Sequence, residues 1–361
     1  MIYRIFLSLA AALAAAPEPA PPAAPYPPSP VLSGVRFDFT THVRRAIDSD
    51  NWAVTWAADG NQYATWGDGR GFDGGRTKKS LGYSRIEGNA DDWTARDTYG
   101  SEKAEATATI QGKSYAIIGV NGALYSFVSP GSDAKNLESA RLYKSTDGAH
   151  RWTPTPVVFT AAKHHLALPC FLQFGKDDAG ARDGYVYVYW LRVRAMSWEV
   201  QRPGEIMLTR VPRGAMEDSS RYEYFAGLDG AGEPRWSADP GAMRAVFVDT
   251  NGLMRSSANY DAGLARYLMV TNHTARNAGN VGIFDAPEPW GPWTTVAYYR
   301  GWPGGAEVPR NTFYGNFSSK WFSDDGLDFV FVFTGKNAND SWNSVRGAFV
   351  RRSPGTDPLR R

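Results

Sequence analysis

Short apolar runs separated by glycine-containing turns recur along this chain, and they limit its possible folds more than any other feature. From about Val35 onward no stretch keeps a 3.6-residue apolar period for four turns, so long helices are not expected. Residues 52–56 and 62–66 flank Asp59-Gly60, which is the pattern of a β-hairpin. Similar pairs are 115–120 with 124–128, 166–174 with 185–191, 245–248 with 267–271, and 320–322 with 329–333.

A more polar run follows each predicted hairpin and reads as a third strand. These runs are 81–86, 140–145, 206–211, 281–284 and 345–349. The result is five units of about 50–70 residues, a size that fits the blades of a β-propeller. A β-sandwich is the competing architecture, but a chain of this length would need two sandwiches, and no linker divides it. We therefore predict an all-β, five-bladed β-propeller in a single domain over residues 35–352, followed by a tail at 353–361.

The N-terminal segment has the pattern of an export signal. Arg4 precedes an apolar run that ends in three alanines at 14–16, which predicts a signal peptide over residues 1–16. Residues 17–30 contain eight prolines, so residues 17–34 are predicted to form an extended linker. No later apolar stretch is long enough to span a membrane. We expect a secreted or periplasmic protein after cleavage near Ala16.

Composition narrows the possible partners. The net charge of +2, without a long cluster of Lys or Arg, argues against nucleic acid as a partner. The adjacent His164 and His165 would point to opposite faces of a strand, so no metal site is predicted. No phosphate loop or dinucleotide motif is present, and no cofactor is expected. The 13 Trp and 18 Tyr are suited to stacking on sugar rings, although such residues usually pack between sheets.

Two aspartates flank the first predicted hairpin. Asp50 and Asp68 each lie about nine residues from the turn at Asp59-Gly60, so the hairpin brings both to the same open end. Two carboxyl groups placed there can divide the work of glycoside hydrolysis, one as the acid and the other as the base or nucleophile. Their proximity would raise the pKa of one of them. The alternative is that Asp68 belongs to a turn and Asp50 caps a strand.

Polar and aromatic residues beside this pair, and at strand ends of the fourth and fifth units, are predicted to bind sugar hydroxyls or ring faces. These residues are Asn51, Trp52, Arg70, Lys79, Arg255, Asn259, Asn311, Tyr314, Asn316 and Trp321. Hydrogen bonding within loops is the competing interpretation for each of them.

Several motifs resemble the bacterial family catalogued as domain of unknown function 4185. They are the segments at 49–60, 66–69, 79–82, 285–293 and 311–314, within a resemblance that spans about residues 45–350. The resemblance implies a five-bladed propeller related to glycoside hydrolase family 183, whose members are endo-D-arabinanases acting on the arabinan of mycobacterial cell walls. In those enzymes one Asp before the first hairpin and another after it form the catalytic pair, and the matching positions are Asp50 and Asp68. The charged segment 101–105 departs from the small residues expected there.

The sequence thus predicts a monomeric glycoside hydrolase that cleaves a furanoside-containing, arabinan-type polysaccharide. We expect inversion at the anomeric carbon, because other five-bladed glycosidases invert; carboxyl groups about 6.5–9.5 Å apart would fit inversion and about 5–5.5 Å retention. One alternative is a non-catalytic glycan-binding propeller, which would tolerate Asp50→Asn. A second is a polysaccharide lyase with a Tyr or His base, and a third is a structural scaffold without a cleft.

Overall fold

The computed structural model describes residues 23–303, 312–335 and 340–353. The predicted signal peptide therefore lies outside the described residues, as does nearly all of the predicted tail. The strands are β1 (Leu32–Arg45), β2 (Val54–Trp56), β3 (Gln62–Gly69), β4 (Lys79–Gly88), β5 (Trp93–Tyr99), β6 (Lys113–Val120), β7 (Ala123–Ser129), β8 (Ser139–Ser145), β9 (Thr153–Thr160), β10 (Leu166–Gln173), β11 (Tyr185–Arg192), β12 (Gly204–Pro212), β13 (Glu223–Leu228), β14 (Pro234–Ser237), β15 (Ala245–Asp249), β16 (Leu253–Asp261), β17 (Arg266–His273), β18 (Val281–Ala286), β19 (Thr294–Tyr299), β20 (Phe313–Phe317), β21 (Asp328–Thr334) and β22 (Trp342–Arg351).

Helices are short in the described residues. The α-helix α1 spans Ala161–His164, and 3-10 helices span Asp133–Leu137, Lys176–Asp178, Arg213–Ala215, Ser219–Arg221, Pro240–Ala242 and Ser319–Trp321. Within the described ranges, no helix has the length and apolar character needed to cross a membrane. The prediction of an all-β chain is confirmed.

The strands form antiparallel groups that follow the order of the chain. The first group is β2–β5 and the second is β6–β9. The third (β10–β15) and the fourth (β16–β19) are joined into one ten-stranded sheet, because β10 and β16 pair in parallel over two residues. The fifth group contains β20, β21 and β22, and it is completed by β1 at its edge. Sequence-local hairpins therefore build most of each group.

The first strand of each group, which we call its leading strand, contacts the leading strands of the neighbouring groups. These contacts are made by hydrogen bonds. The Gly119 N–H donates to Thr55 Oγ1 (3.0 Å), Gln173 Nε2 to the Ile117 carbonyl (2.8 Å), Ser257 Oγ to the Gly315 carbonyl (2.6 Å), and Asn316 Nδ2 to the Trp52 carbonyl (2.9 Å). Together with the parallel β10–β16 pair, they close a ring of the leading strands β2, β6, β10, β16 and β20. Arg255, near the start of β16, lies over the rings of Tyr115 and Phe313, near the starts of β6 and β20, so the leading strands run in one direction. All five therefore begin at the same face, which we call the upper face.

Apolar side chains fill the spaces between neighbouring groups. One cluster joins the second and third groups through rings such as Phe127, Phe171 and Trp190. Another joins the fourth and fifth groups, and a third joins the fifth group to the first. A further cluster runs through all five groups, with members such as Ala53, Tyr115, Cys170, Phe284 and Phe313, and so joins these interfaces into a continuous core.

The predicted hairpins are confirmed in the first three groups, but two later pairings are wrong. Residues 245–248 form β15, which pairs with β12, while the hairpin of the fourth group is β16–β17. Residues 319–321 are a 3-10 helix, and the partner of β21 is β20. The true leading strands were missed because their sequences, LMRSSANYD and FYGNF, are rich in polar and small residues.

The segment 23–34, predicted as part of an extended linker, is packed on the fold. Tyr26 contacts the rings of Phe247 and Phe284, with centroids 4.9 and 6.0 Å away. Ser29 is fully buried, and its hydroxyl donates to Asp285 Oδ2 at 3.0 Å. Strand β1 begins at Leu32, three residues before the predicted domain boundary. This proline-rich segment packs on the fold, because an extended backbone can lie flat against the edge of a sheet.

Candidate functional site

Asp50 lies at the upper face, four residues before β2. Its backbone pairs with Gly67 through two hydrogen bonds of 3.0 and 2.8 Å, which fixes it beside the end of β3. Its side chain is 9% exposed and accepts a hydrogen bond from Asn51 Nδ2 at 2.8 Å. Burial raises the pKa of Asp50 to about 7, Lys113 opposes this rise, and Asp340 and Asp68 add to it. A large fraction of this carboxyl group is therefore protonated near neutral pH.

Asp68 follows Gly67 directly, so the two carboxylates meet at the same end of the hairpin. The Asp68 side chain is 61% exposed, and its Oδ1 forms an ion pair with the ammonium of Lys113. A Cβ at Gly67 would lie 3.0 Å from Asp50 Oδ1 and 3.3 Å from Lys113 Cδ. The absence of a side chain at position 67 therefore lets both aspartates approach the same lysine.

Lys113 is a site residue that the sequence analysis missed. It opens β6, a strand whose other residues are apolar or small, and it is itself only 4% exposed. Lysine is rarely buried to this extent unless it is paired. A single charged residue at the start of an otherwise buried strand was the available signal.

Arg255 is a second buried cation, located on β16. It is 3% exposed, and its Nη1 donates to Asn277 Oδ1 at 3.1 Å. The guanidinium lies over the rings of Phe313, Trp198 and Tyr115, 4.7, 5.3 and 5.9 Å from their centroids. Its charge lowers the pKa of Asp50, although the effect is smaller than that of burial. Arg255, predicted from the sequence to bind sugar, thus acts electrostatically on Asp50.

Trp198 was also missed by the sequence analysis. It lies in the connection between β11 and β12 and is partly exposed, unlike most Trp residues of this chain. Its ring is 6.2 Å from that of Tyr115, next to Arg255. A partly exposed indole beside buried polar groups can stack on an apolar ring face of a ligand.

Irregular backbone occurs near the starts of four leading strands and at the aspartate pair. Register shifts occur between Ser114 and Ala116, Ala167 and Cys170, Leu253 and Arg255, and Phe313 and Asn316. Positive φ angles occur at Asn51 (60°), Asp68 (45°), Leu168 (46°) and Tyr314 (54°). β-bulges and positive φ at residues other than glycine are costly, and both are enriched next to functional sites because they redirect side chains. This pattern supports a site at the upper face.

Two predicted sugar-binding tryptophans are core residues instead. Trp52 is fully buried and packs edge-on against Trp342, 5.3 Å away. Trp321 is 7% exposed and belongs to the same apolar cluster. The prediction that they stack on sugar is wrong, because both rings fill the interface between the first and fifth groups.

Three further predicted binding residues are held in structural hydrogen bonds. Asn316 Nδ2 donates to the Trp52 carbonyl, and Asn259 Nδ2 donates to the Phe317 carbonyl at 3.2 Å. The Tyr314 hydroxyl donates to the Tyr115 carbonyl, and Tyr314 is 2% exposed. These groups join leading strands to one another or to the segment before β2, so the prediction that they bind substrate is not supported by their contacts.

The remaining residues predicted to bind sugar differ in their burial and in their contacts. Asn51 is 3% exposed and hydrogen-bonds Asp50, so it positions a carboxylate. Arg70 forms an ion pair with Asp48 beside the hairpin. Lys79 pairs with Gly69 across β3 and β4 and is partly exposed. Asn311 lies outside the described residues.

Comparison with known proteins gives one family and several structural neighbours. Residues 116–338, more than half of the chain, match the family model described as domain of unknown function DUF4185. The matched segment includes Arg255 and begins after Asp50, Asp68 and Lys113. No curated protein matches the sequence.

The solved structures that resemble the chain include two carbohydrate-active enzymes. A GH43_1 enzyme from Xanthomonas citri superposes with a TM-score of 0.51 at 14% identity, covering 88% of this chain and 93% of that enzyme. RS223 β-xylosidase superposes with a TM-score of 0.50 at 14% identity, covering 86% and 96% respectively. At this level of identity the likeness establishes the fold, which is a β-propeller.

Proposed function

The chain belongs to the family of the domain of unknown function DUF4185, and on that premise we propose that it is a glycoside hydrolase built as a five-bladed β-propeller. The five antiparallel groups would be the blades, and the ring of leading strands would surround the central channel. The two structural neighbours named above support the fold on which the proposal depends. Its main support is the pairing of a buried, readily protonated Asp50 with an exposed, ion-paired Asp68.

We assign the acid role to Asp50. Because its pKa is raised to about 7, it holds a proton at a pH where an ordinary aspartate would have lost it. In the proposed reaction this proton moves to the glycosidic oxygen while the bond to the anomeric carbon breaks. Asp68 then acts as the base that takes a proton from the attacking water, or as the nucleophile in a retaining enzyme.

The cations at the site have complementary roles in this proposal. Lys113 pairs with Asp68 and limits the rise in the pKa of Asp50. Arg255 and Trp198 would contact sugar hydroxyls and a ring face. The proposed arabinan-type furanoside substrate is carried over from the resemblance to glycoside hydrolase family 183. Export after cleavage near Ala16 and a monomeric state are carried over from the sequence predictions.

The test is hydrolysis by the purified protein and by its Asp50→Asn and Asp68→Asn variants. Arabinans and a panel of plant and bacterial glycans are the substrates, and Asp324→Asn, at an exposed aspartate before β21, is the matched control. We expect each site variant to lose at least about 100-fold in kcat/KM and the control to match wild type. Proton NMR of the first product should show inversion. Release of no sugar by the wild type would refute the enzyme proposal, and full activity of both variants would refute the site.

A polysaccharide lyase fits the site less well. A lyase needs a Tyr or His base that ionises or accepts a proton easily, but burial raises the pKa of both Tyr115 and Tyr314. Products absorbing in the ultraviolet would nevertheless identify a lyase. A non-catalytic glycan-binding propeller would bind oligosaccharides equally well with Asn at position 50 and cleave none of them.

A further inference from the structure

A cavity of about 230 Å³ lies on the third group, where α1 leads into β10. Its lining includes Lys163, His164, His165, Arg192 and Arg244. All nine lining residues belong to the described part of the chain, and none of them is Asp or Glu. Three cationic side chains and two imidazoles therefore converge on a cavity whose lining contains no carboxylate.

His164 is a buried residue in the lining of this cavity. It is 6% exposed, and the backbone N–H of Thr160 donates to its Nδ1 at 3.0 Å. Nδ1 also lies 3.3 Å from the Thr160 carbonyl, so the Thr160 backbone holds the ring in place. Burial lowers the pKa of His164, which favours the neutral imidazole.

The other lining groups are held in place by the fold. His165 adopts φ 55°, its N–H donates to the Ala161 carbonyl, and its carbonyl accepts from Val193, both at 2.8–2.9 Å. Arg244 Nη1 donates to the Met243 carbonyl at 3.0 Å. Glu205, the neighbouring carboxylate, lies 3.6 Å from Arg192 but 2.7 Å from Arg194, so it pairs mainly with the latter. The positive charge around the cavity is thus only partly neutralised.

The cavity opens at the same end of the leading strands as Asp50. His165 precedes the first residue of β10, Asp50 precedes β2, and these strands run in one direction around the ring. A polysaccharide bound across the upper face could therefore reach both places. At about 230 Å³ the cavity is smaller than the 300–1,000 Å³ typical of pockets for drug-sized ligands, and it suits a single charged unit.

We propose that this cavity binds the oxyanion of an acidic sugar unit, a carboxylate or a phosphate or sulfate ester, as a second contact for the polysaccharide. That the anion is carried by a glycan rests on the proposed function; the anion site itself does not. Arg and Lys form charge-assisted hydrogen bonds with carboxylate and phosphate oxygens, and three such side chains line the cavity. Neutral arabinan would not use this contact, so the site would select for acidic branches or blocks.

The experiment is calorimetric titration of the full chain with glucuronate, glucose 6-phosphate, glucose and inorganic phosphate. We expect at least one charged sugar to bind, with glucose binding at least about tenfold more weakly. Lys163→Glu and Arg244→Gln change exposed side chains and should each weaken binding by about tenfold. Arg151→Gln, whose side chain is 87% exposed on the second group, is the matched control and should bind as wild type does.

The outcomes separate the possibilities. Preference for glucuronate identifies a carboxylate site, and preference for glucose 6-phosphate identifies an ester site; both support the proposal. Binding of inorganic phosphate as tight as that of either sugar would overturn the assignment to a glycan, and unchanged binding in both variants would overturn the location. Hydrolysis of neutral arabinan, measured in parallel, should be unaffected by these variants. The titration therefore tests the anion site, and the hydrolysis assay tests the proposed hydrolase independently of it.

Discussion

Asp50 makes stability depend on pH in the direction opposite to that of most aspartates. Its folded pKa of about 7 lies above the ordinary value of 3.8, so between these two pH values the folded state binds more protons than the unfolded state. The free energy of unfolding therefore decreases as pH rises from about 4 to 7, and the loss is complete above pH 7.

Asp50→Asn removes this cost of ionising a buried group. We expect the variant to equal wild type in stability near pH 4 and to exceed it increasingly up to pH 7. The difference should reach a few kcal/mol, at about 1.4 kcal/mol per pKa unit. Urea unfolding at pH 4.5, 6 and 8 measures it, with Asp324→Asn as the control. A variant less stable than wild type at pH 8 would show that the Asp50 carboxylate is stabilising in its charged form.

Lys113 should set the alkaline limit of activity. If Asp50 is the acid, kcat/KM decreases above pH about 7 as Asp50 ionises. Lys113 lowers the pKa of Asp50, so Lys113→Met should move this alkaline limb to higher pH as well as reduce the maximum rate. Lys103→Met, at an exposed lysine, should leave the profile in place. An unmoved limb in Lys113→Met would mean that another group limits the rate.

Sequence reasoning located Asp50 and Asp68 because a hairpin is a local structure, and counting from its turn places both ends. It could not find Lys113, Arg255 and Asp340 as partners of the pair, because they come from other groups. It also assigned Trp52 and Trp321 to the surface, since an aromatic residue in a polar stretch has no feature that reveals which neighbouring sheet will cover it.

At the scale of the strand, Gly67 tests whether the irregular ends of the hairpin serve the site. A Cβ there would lie 3.0 Å from Asp50 Oδ1, 3.1 Å from the Ser80 carbonyl and 3.3 Å from Lys113 Cδ. Gly67→Ala should displace Asp50 and reduce kcat/KM by about 100-fold, because misplacement of about 1 Å can cost that much. The melting temperature should change by only a few degrees.

The control is Gly34→Ala on β1, where a Cβ would meet nothing within 4 Å. It should leave both activity and the melting temperature unchanged. Full activity in Gly67→Ala would indicate that the aspartate pair is not the reacting group.

β-Hairpins in which a two-residue turn separates two apolar runs were predicted correctly, as at Asn121-Gly122 between β6 and β7. The leading strands β16 and β20 were not, because several of their buried residues are polar and hydrogen-bond other leading strands. Apolar alternation marks a strand with one buried face, and the mixture of polar and apolar buried residues in these strands hides that pattern.

At the scale of the molecule, β1 closes the fifth group. It pairs antiparallel with β22 from Leu32 opposite Arg351 to Arg45 opposite Trp342. Leu32 is fully buried, and Phe37 packs against Phe329 and Phe331 in the core between the fourth and fifth groups. Sequence patterns did not identify this strand, since its partner is some 300 residues away.

A chain beginning at residue 46 should therefore lose the outermost strand of the fifth group. We expect it to lack a cooperative thermal transition and to regain one when a peptide of residues 32–45 is added, since the peptide restores the missing ladder. A scrambled peptide of the same composition is the control. A truncated chain that melts like wild type would show that β1 contributes little.

Pairing between the first and last strands also dictates when folding can finish. Synthesis proceeds from the N-terminus, so β1 exists long before the strand that will receive it, and the intervening hairpins can form while it waits. Only after residue 351 has left the ribosome can the two meet. The fifth group is thus completed only once the chain has been synthesised through β22, even though its outermost strand was made first.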